Sequence, residues 1–279
     1  MENGEKKISG WITASVIIGT FTGLFLLELR QPLRKTNKEN KLKRDVRNLA
    51  IAATAGIATS LTEMPIADKL GKYVEENNVG LVKIVKMPKW LETTLAVVML
   101  DYTLYVWHYL THKVQFLWRF HLAHHVDLDM DATTAIRFHF GELTLSSVFR
   151  AAQILVIGVS PRAFSIYQTL LFPSVLFHHS NVELPKKLEE FLLIFIVTPR
   201  HHGIHHSTVR EETDSNWSSG LSIWDRLHGT FRLDVPQSEI TIGVPAYQNA
   251  GDLTFSKVLT LPFVQQRDDW KPSENKVKV

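Results

Sequence analysis

The chain has 279 residues, of which 45% are hydrophobic, a formal net charge of +3 and no cysteine. The lack of cysteine excludes disulfides, thiolate-bound zinc, iron–sulfur clusters and a thiol nucleophile, so any metal must be held by nitrogen or oxygen atoms. The apolar residues are bunched into long runs instead of being spread at the period of a surface helix or strand, which favours an all-α membrane protein.

The first apolar run, from Ile8 to Leu27, contains no charged residue. Its length is about the 20 residues that a helix needs to cross a bilayer. Glu28 and Arg30 follow it directly, without the small-residue motif of a signal-peptide cleavage site. We therefore expect a retained membrane helix here.

A basic segment follows this run. From Arg30 to Arg47 the chain carries eight Lys or Arg residues against two acidic ones. Such an excess beside an apolar run predicts a cytoplasmic loop. The segment has neither interleaved aromatic residues nor a nucleic-acid-binding motif, so we expect no nucleic-acid partner.

Further apolar stretches raise the prediction to about four membrane helices. A weak candidate runs from Leu49 to about Ala67, and a stronger one runs from Trp90 to about Leu110. An apolar block over residues 143–177 is broken at Pro161, which predicts a helical hairpin in the membrane. The run from Phe191 to Val197 is too short to span and predicts an interfacial helix.

These segments divide the chain into three parts. Membrane helices and the basic loop occupy residues 1–100, a histidine-rich catalytic domain occupies 101–235, and a polar C-terminal tail occupies 236–279. With the basic loop in the cytoplasm, alternation of the spans brings every histidine to the cytoplasmic side of a multi-pass protein. This orientation requires the weak second candidate to be a span, and it predicts a cytoplasmic helical cap that carries the histidines.

All thirteen histidines lie between His108 and His228. They include one H-x3-H group and two H-x2-H-H groups, and residues three or four apart share one face of a helix. Such faces present several imidazoles to one point, as metal ligands do. The members of these groups are His108, His112, His121, His124, His125, His202, His205 and His206.

The number of these histidines indicates more than one metal. Eight imidazoles exceed the four ligands of a zinc ion, so two metals in an all-nitrogen cage fit better. Imidazole suits iron, zinc, copper and nickel, so the spacing leaves the metal open. His112 and His121 are nine residues apart, about half a turn out of phase, so the chain must bend between them or the two groups must approach from different sides.

Several strings carry the histidines in order: DYTLYVWHYLTH, RFHLAHHVDLDMDATTAIRFHFGE, FHHSNVELP, TPRHHGIHHS and ETDSNWSSGLSIWDRLHGTF. They lie between residues 101 and 231, a range that is nearly half of the chain. In these strings the sequence resembles the fatty acid hydroxylase and sterol desaturase superfamily of membrane-bound di-iron oxidases.

The resemblance implies that the eight grouped histidines are ligands of two iron ions per chain. It adds His179 as a ligand, in preference to His178 in FHHSNV, and it favours His202 over His201 in TPRHH. His139 is a tenth candidate ligand, although Phe140 replaces the usual proline of the family motif. His228, in WDRLHGT, fits a structural role. Polar residues at other motif positions are expected to orient the imidazoles: Arg137, Glu142, Asn181, Asp214, Asn216, Trp224, Asp225 and Arg226.

The resemblance also implies a reaction. A reduced di-iron centre would use O2 to hydroxylate or desaturate a lipid, such as a sterol or a fatty acyl chain, in lipid metabolism. The chain shows no G-x-G-x-x-G motif and no evident haem or flavin domain, so a separate cytochrome- or ferredoxin-type electron donor is implied. Two alternatives stay open, an ether-lipid (alkylglycerol) monooxygenase that uses a reduced pterin and a non-redox membrane metal protein. The resemblance alone suggests a bacterial inner membrane.

Overall fold

The computed structural model describes residues 7–35 and 38–271, and within these ranges it contains helices and loops but no strand, only isolated bridges. The α-helices are α1 (Gly10–Arg30), α2 (Lys41–Leu61), α3 (Glu63–Asn77), α4 (Lys89–Lys113), α5 (Gln115–His125), α6 (Phe140–Gln153), α7 (Pro161–His179), α8 (Lys186–Leu192), α9 (Pro199–His205), α10 (Arg210–Thr213), α11 (Ile223–His228) and α12 (Phe255–Thr260). Short 3-10 turns lie at Leu81–Lys83, Thr134–Ile136, Pro245–Tyr247, Ala250–Asp252 and Leu261–Phe263. The all-α prediction is confirmed for the described residues.

In the part of the chain that the structure describes, three helical segments are long and apolar enough to cross a membrane, Gly10–Arg30, Lys41–Lys83 and Phe140–Gly158. The first two contain the first and second predicted spans. The predicted third span forms α4, which has 25 residues but is not among the candidates. It carries Asp101, His108 and several tyrosines, which lower its apolar character. Three candidate spans therefore replace the four that we expected.

The break predicted at Pro161 is present. After α6 the chain forms a π-helical turn, Ile154–Gly158, and Ser160 caps α7 by accepting a hydrogen bond from the Ala163 amide. Pro161 occupies the first turn of α7, where its missing N–H has no intrahelical role. Helices α2 and α3 pack on α6, whereas α1 and α4 pack on α7. Residues of both arms of the hairpin line a cavity.

The prediction of an interfacial helix over Phe191–Val197 is wrong in its bounds. Helix α8 ends at Leu192, and a turn continues from there. The Phe195 carbonyl accepts a hydrogen bond from the Ser222 amide, and the Val197 amide donates to the Gly220 carbonyl. These long-range bonds occupy backbone groups that a continued helix would use for itself.

The basic segment and the histidine-bearing segments lie at the same end of the long helices. The Arg44 guanidinium binds the Asp127 carboxylate (2.9 Å) and the Asp131 carboxylate (2.6 Å), which follow α5. The Arg34 guanidinium donates to the Gln237 side chain at 2.7 Å and to the Pro199 carbonyl at 3.5 Å. Arg34 and Arg44, which the sequence places in an open loop, are therefore buried, and Arg44 is paired with two carboxylates.

Part of the segment predicted as a polar tail packs against α5. Val244, Tyr247 and Leu253 are buried with Trp118 and Leu122 in one apolar cluster. Ile240 and Ile242 of the same segment are buried in a separate cluster with Met130 and Ile204. The segment therefore closes one side of the histidine-bearing region.

Candidate metal centre

A bend between α4 and α5 brings the first two histidine groups together, which is one of the two arrangements that the nine-residue spacing allowed. Helix α4 ends at Lys113, Val114 adopts an extended conformation, and α5 starts at the next residue. The His112 ring then lies 5.0 Å from the His121 ring, and the His108 ring lies 5.1 Å from it, centre to centre.

The structure sorts nine of the ten predicted ligands into two groups. In each group, one potential ligand atom per residue lies within 4.8 Å of the others. The five-histidine group contains His108, His112, His121, His125 and His205. The four-histidine group contains His124, His179, His202 and His206.

Four members are oriented by hydrogen bonds that point away from the groups. Each Nδ1 lies 2.7–2.8 Å from an acceptor, so Nδ1–H donates and the lone pair on Nε2 is left for a metal. The pairs are His108 with the Trp217 carbonyl, His121 with the Glu142 carboxylate, His179 with the Val175 carbonyl and His205 with the Ser215 carbonyl.

The donor atoms fit metal ions because their lone pairs converge without other partners. The Nε2 atom of His179 lies 3.0–3.3 Å from the Nε2 atoms of three other members of its group. One proton cannot serve all of these contacts, whereas a cation can. The Nε2 atoms of His112 and His205 are buried and have no hydrogen-bond partner. A set of neutral nitrogen donors suits a transition metal.

The electrostatics of the site agree with this fit. Burial, followed by the neighbouring imidazoles, lowers the pKa of His124, His125, His202 and His206 well below the usual value. Burial likewise lowers the pKa of His205 to about 3. These five imidazoles are therefore neutral near pH 7, as metal binding requires.

His139 lies outside both groups, and its inclusion among the ligands needs correction. Its Nδ1 accepts a hydrogen bond from the Gly141 amide at 2.9 Å, and its Nε2 lies 3.0 Å from the Leu259 carbonyl. Both ring nitrogens are thus occupied, and His139 serves as the N-cap of α6.

Three further histidines also lie outside the groups. His178 and His201 are buried, and each precedes a group member that faces inward. The His201 ring lies against Phe231, at 4.9 Å. His228 stacks on Tyr105 at 4.9 Å, which agrees with a structural role.

Polar residues at the other motif positions hold the loops that surround the groups. The Asp225 carboxylate accepts hydrogen bonds from the Trp217 amide (2.9 Å) and the Ser218 amide (3.1 Å). It thereby fixes the backbone segment that contains Trp217, whose carbonyl accepts the hydrogen bond from His108 Nδ1. The Asn216 side chain donates to the His201 carbonyl at 2.8 Å. This arrangement positions the imidazoles through backbone contacts.

Comparison with known proteins identifies the family. The model of the fatty acid hydroxylase family matches residues 93–230, which include both histidine groups. This chain belongs to the fatty acid hydroxylase family. The superfamily resemblance is therefore confirmed at this level. No solved structure matches the chain significantly.

Three relatives show how far the similarity extends. The chain is 31% identical to an ornithine lipid hydroxylase of Rhizobium tropici over 56% of this chain and 46% of the relative. It is 34% identical to the alkylglycerol monooxygenase of Xenopus tropicalis over 54% and 31%, and 24% identical to the cholesterol 25-hydroxylase of Mus musculus over 53% and 50%. The chain thus spans half or less of the length of these relatives.

The matched region borders a large cavity. It has a volume of about 390 Å³ and is lined mainly by apolar side chains of α2, α4, α6 and α7. Histidines of both groups form part of its wall, together with His178. An apolar chain in this cavity would therefore reach the histidine groups.

A second, polar cavity of about 250 Å³ reaches the five-histidine group through His112. None of its lining residues contributes to the first cavity. The Trp118 and Trp270 rings stack on one side of it, with centres 6.2 Å apart. The other lining residues are Lys113, Gln115, Arg210, Asp214 and Asp269.

Sequence reasoning missed two kinds of functional feature. The backbone carbonyls that orient the imidazoles have no sequence signal, because any residue provides one. Arg150, Gln153 and Tyr167, which line the apolar cavity, were not singled out. A charged residue such as Arg150 inside a predicted membrane hairpin was the available signal.

Proposed function

We propose that this protein is a membrane-bound di-iron oxygenase that uses O2 and external electrons to hydroxylate a lipid. One observation carries the proposal: two convergent groups of histidines form part of the wall of an apolar cavity. Helices long enough to cross a membrane line that cavity. Membership of the fatty acid hydroxylase family supports the same reaction.

The two groups would hold one iron ion each, with His108, His112, His121, His125 and His205 as candidate ligands of the first and His124, His179, His202 and His206 as candidate ligands of the second. Iron bound there, reduced by the external donor, would activate O2 as the oxidant of an unactivated C–H bond, a reaction that acidic and basic side chains cannot perform by themselves.

The chain itself provides binding, orientation and exclusion of water. The apolar wall would hold a hydrocarbon chain with one C–H bond facing the histidines and would keep bulk water from the site. Glu142 fixes the orientation of the His121 ring through their 2.8 Å hydrogen bond. The carbonyls behind His108, His179 and His205 do the same for these rings.

The reductant would approach separately from the lipid. We assign it to an external electron-transfer protein of the cytochrome or ferredoxin type. The polar cavity supports this assignment because it reaches His112 by a route that shares no residue with the lipid cavity. With the basic segment at the same end as the histidines, the positive-inside rule places this end in the cytoplasm.

Metal analysis tests the proposal first. Detergent-purified protein from iron-replete cells should contain about two irons per chain, one for each histidine group, and should give a coupled diferric Mössbauer signal after iron-57 labelling. The reduced protein should then consume O2 when a lipid is added.

Mass spectrometry of lipids after turnover would identify the product. Ornithine lipids, alkylglycerols and sterols are the first substrates to try, since the relatives are named for them. The His228→Ala variant serves as a matched control and should retain its iron, because His228 lies outside both groups. Zinc as the bound metal, with no oxygen uptake after loading with iron, would contradict the proposal and favour a non-redox metal protein.

A further inference from the structure

An apolar surface lies on α8, the turn that follows it and α11, outside the three candidate spans. Six large apolar side chains are 38–66% exposed there and form what we call the α8–α11 surface: Leu188, Phe191, Ile194, Phe195, Ile223 and Leu227. None of them lines either of the two cavities described above. Exposed apolar surfaces of this kind mark sites of contact with protein or membrane.

Two segments that are distant in the chain form this surface together. The Phe195 carbonyl accepts a hydrogen bond from the Ser222 amide at 3.1 Å, and the Ser222 hydroxyl donates to the Leu193 carbonyl at 2.6 Å. Ile223 and Leu227 are four residues apart in α11 and therefore share one face of that helix. The surface is thus a product of tertiary packing and not of one amphipathic helix.

The inner side of the same segments covers the polar residues of α4. The Asp101 carboxylate accepts hydrogen bonds from the Leu221 amide at 3.0 Å and from the Trp224 indole at 2.7 Å. The His228 ring stacks on Tyr105 at 4.9 Å. Polar residues of α4 therefore contact protein, while the covering segments expose apolar side chains on their outer side.

Two long helices measure how deep these contacts lie. On α7, the Ser174 hydroxyl donates to the Ser219 carbonyl at 2.8 Å, and Ser174 precedes His179 by five residues. On α4, Asp101 precedes His108 by seven residues. At a rise of 1.5 Å per residue, the two contacts lie about 8 Å and about 10 Å from these histidines, toward the far end of the bundle.

The end of α1, a candidate span, gives the level of the membrane boundary. The Asn181 amide donates to the Glu28 carboxylate at 2.7 Å, and the Glu183 amide donates to the Gln31 carbonyl at 2.8 Å. Both amides follow closely after His179, so α1 ends level with the histidine end of α7. The contacts that hold the α8–α11 surface are therefore deeper, at the level of apolar residues of α1.

Charged side chains at one edge of the surface fit this depth. Lys186 and Lys187 begin α8 close to Glu183 and the end of α1, and all three are exposed. Glu190 is also exposed and pairs with Lys186 at 3.9 Å. Long charged side chains reach water at a bilayer boundary while their apolar neighbours enter the hydrocarbon.

The two charged residues of α11 are bonded within the protein. The Arg226 guanidinium donates to the Leu193 carbonyl at 2.9 Å and lies over the Phe231 ring at 4.2 Å. Asp225 is buried and accepts a hydrogen bond from the Trp217 amide. Neither residue therefore places an unpartnered charge beside the apolar side chains.

We propose that the α8–α11 surface is embedded in the hydrocarbon of the lipid leaflet at the histidine end of the molecule. Residues 186–228 would then complete the lipid-facing wall around α4 without crossing the bilayer. Lipid is the occupant because a surface at the depth of α1 faces the same medium as α1. The inference goes beyond the proposed function and does not depend on metal binding or turnover.

Spin labels on single cysteines test this placement, since the chain has no cysteine of its own. Nitroxides at Phe195→Cys and Leu227→Cys would be examined in the full chain, reconstituted in vesicles of phosphatidylcholine and phosphatidylglycerol. Electron paramagnetic resonance measures their collisions with O2, which concentrates in hydrocarbon, and with Ni(II)-EDDA, which stays in water. Both labels should collide mainly with O2, like a label at Leu26→Cys on the exposed side of α1.

Val209→Cys is the matched control in water. Val209 is also apolar and 44% exposed outside the candidate spans, but it precedes Arg210 in the wall of the polar cavity. Its label should collide mainly with Ni(II)-EDDA. Equal melting temperatures would show that the labelled variants are folded, and Ile194→Cys and Ile223→Cys provide independent positions on the same surface.

Two results would overturn the inference. Frequent collisions of the surface labels with Ni(II)-EDDA would show that the α8–α11 surface faces water. Few collisions with either reagent would show that protein covers it, and spin–spin broadening that disappears on dilution with unlabelled chain would identify a second copy as the cover. A failure of the proposed oxygenase reaction would leave the labelling result unchanged, because the labels report position alone.

Discussion

Adjacent histidines serve different groups. His124 belongs to the four-histidine group and His125 to the five-histidine group, and the doublet formed by His205 and His206 is divided in the same way. Neighbouring residues on a helix point about 100° apart, so a doublet reaches two points at once. This geometry gives the H-x2-H-H motif a physical reason, since one short helix then contributes to both candidate metal positions.

A pair of alanine variants tests the ligand assignment. His124→Ala should lose the metal of the four-histidine group, because only three donors remain there. His139→Ala should keep its full metal content and lose only about 1 kcal/mol of stability with the N-cap of α6. Elemental analysis and thermal unfolding measure the two effects. Full metal content in His124→Ala, or metal loss in His139→Ala, would contradict the assignment.

The contact between His121 and Glu142 leads to a second prediction. In Glu142→Gln the side chain keeps its shape but loses the charge that favours Nδ1–H donation by His121. Changes of such orienting partners typically weaken metal binding by about 10-fold to 100-fold. Competition with a chelator of known affinity would measure the change. Thr144→Ala, on the exposed face of the same helix, is the control and should bind metal like the wild type.

At the scale of elements, the far end of the bundle depends on a close approach of two glycines. Gly80 has φ +107° and Gly158 has φ +89°, values that side chains disfavour. A Cβ atom at Gly80 would lie 2.2 Å from the Gly158 Cα. The segment after α3 therefore packs directly on the π-helical turn that follows α6.

Gly80→Ala should consequently lower stability by about 2 kcal/mol or more, through overpacking and backbone strain together. Gly229→Ala separates the two effects. Gly229 has φ +68° but open space around its Cα, so only the conformational effect of about 1 kcal/mol applies. Melting temperatures in one detergent would compare them. An effect of Gly80→Ala no larger than that of Gly229→Ala would show that the contact is unimportant.

At the scale of the whole molecule, the two ends of the bundle should face opposite sides of the membrane. The chain has no cysteine, so single cysteines can be placed without background. Lys35 is exposed next to Arg34 at the histidine end, whereas Lys86 is exposed near the glycine contact at the other end. In intact cells, an impermeant maleimide should label Lys86→Cys and not Lys35→Cys. Labelling of both or the reverse pattern would refute the proposed orientation.

The buried ion pairs at the histidine end predict a dependence of stability on pH. Burial alone would raise the pKa of Asp131, but the charges of Arg44 and Lys41, each at 2.6 Å, outweigh it and lower this pKa below its usual value. A lowered pKa in the folded state stabilises the protein above the unfolded pKa of about 3.9, and this contribution is lost as the pH falls further.

Asp131→Asn should therefore be less stable than the wild type by about 2 kcal/mol at pH 7, the range for hydrogen bonds to charged groups. The difference should narrow at pH 3. Thermal unfolding at both pH values measures it, and Asp234→Asn, at an exposed site, serves as the control. A constant difference between pH 7 and pH 3 would show that the Asp131 charge does not contribute.

The sequence by itself determined the helical class, the first apolar runs and eight of the nine grouped histidines, and it left open whether the chain bends between His112 and His121. These features depend on local spacing: runs of about 20 apolar residues and imidazoles three or four residues apart. The preference for His179 and His202 over their neighbours came from the family resemblance, and the structure brings these two into the four-histidine group.

Only the tertiary structure decided how these parts meet. It divided the histidines between two groups, used His139 as a helix cap, buried apolar side chains of the supposed tail against α5, and set Arg150 beside Tyr167 and Glu63 in the cavity. Apart from the local cap made by His139, these contacts join residues that are far apart in the chain. Spacing along the sequence does not predict such contacts, because they arise when separate helices pack together.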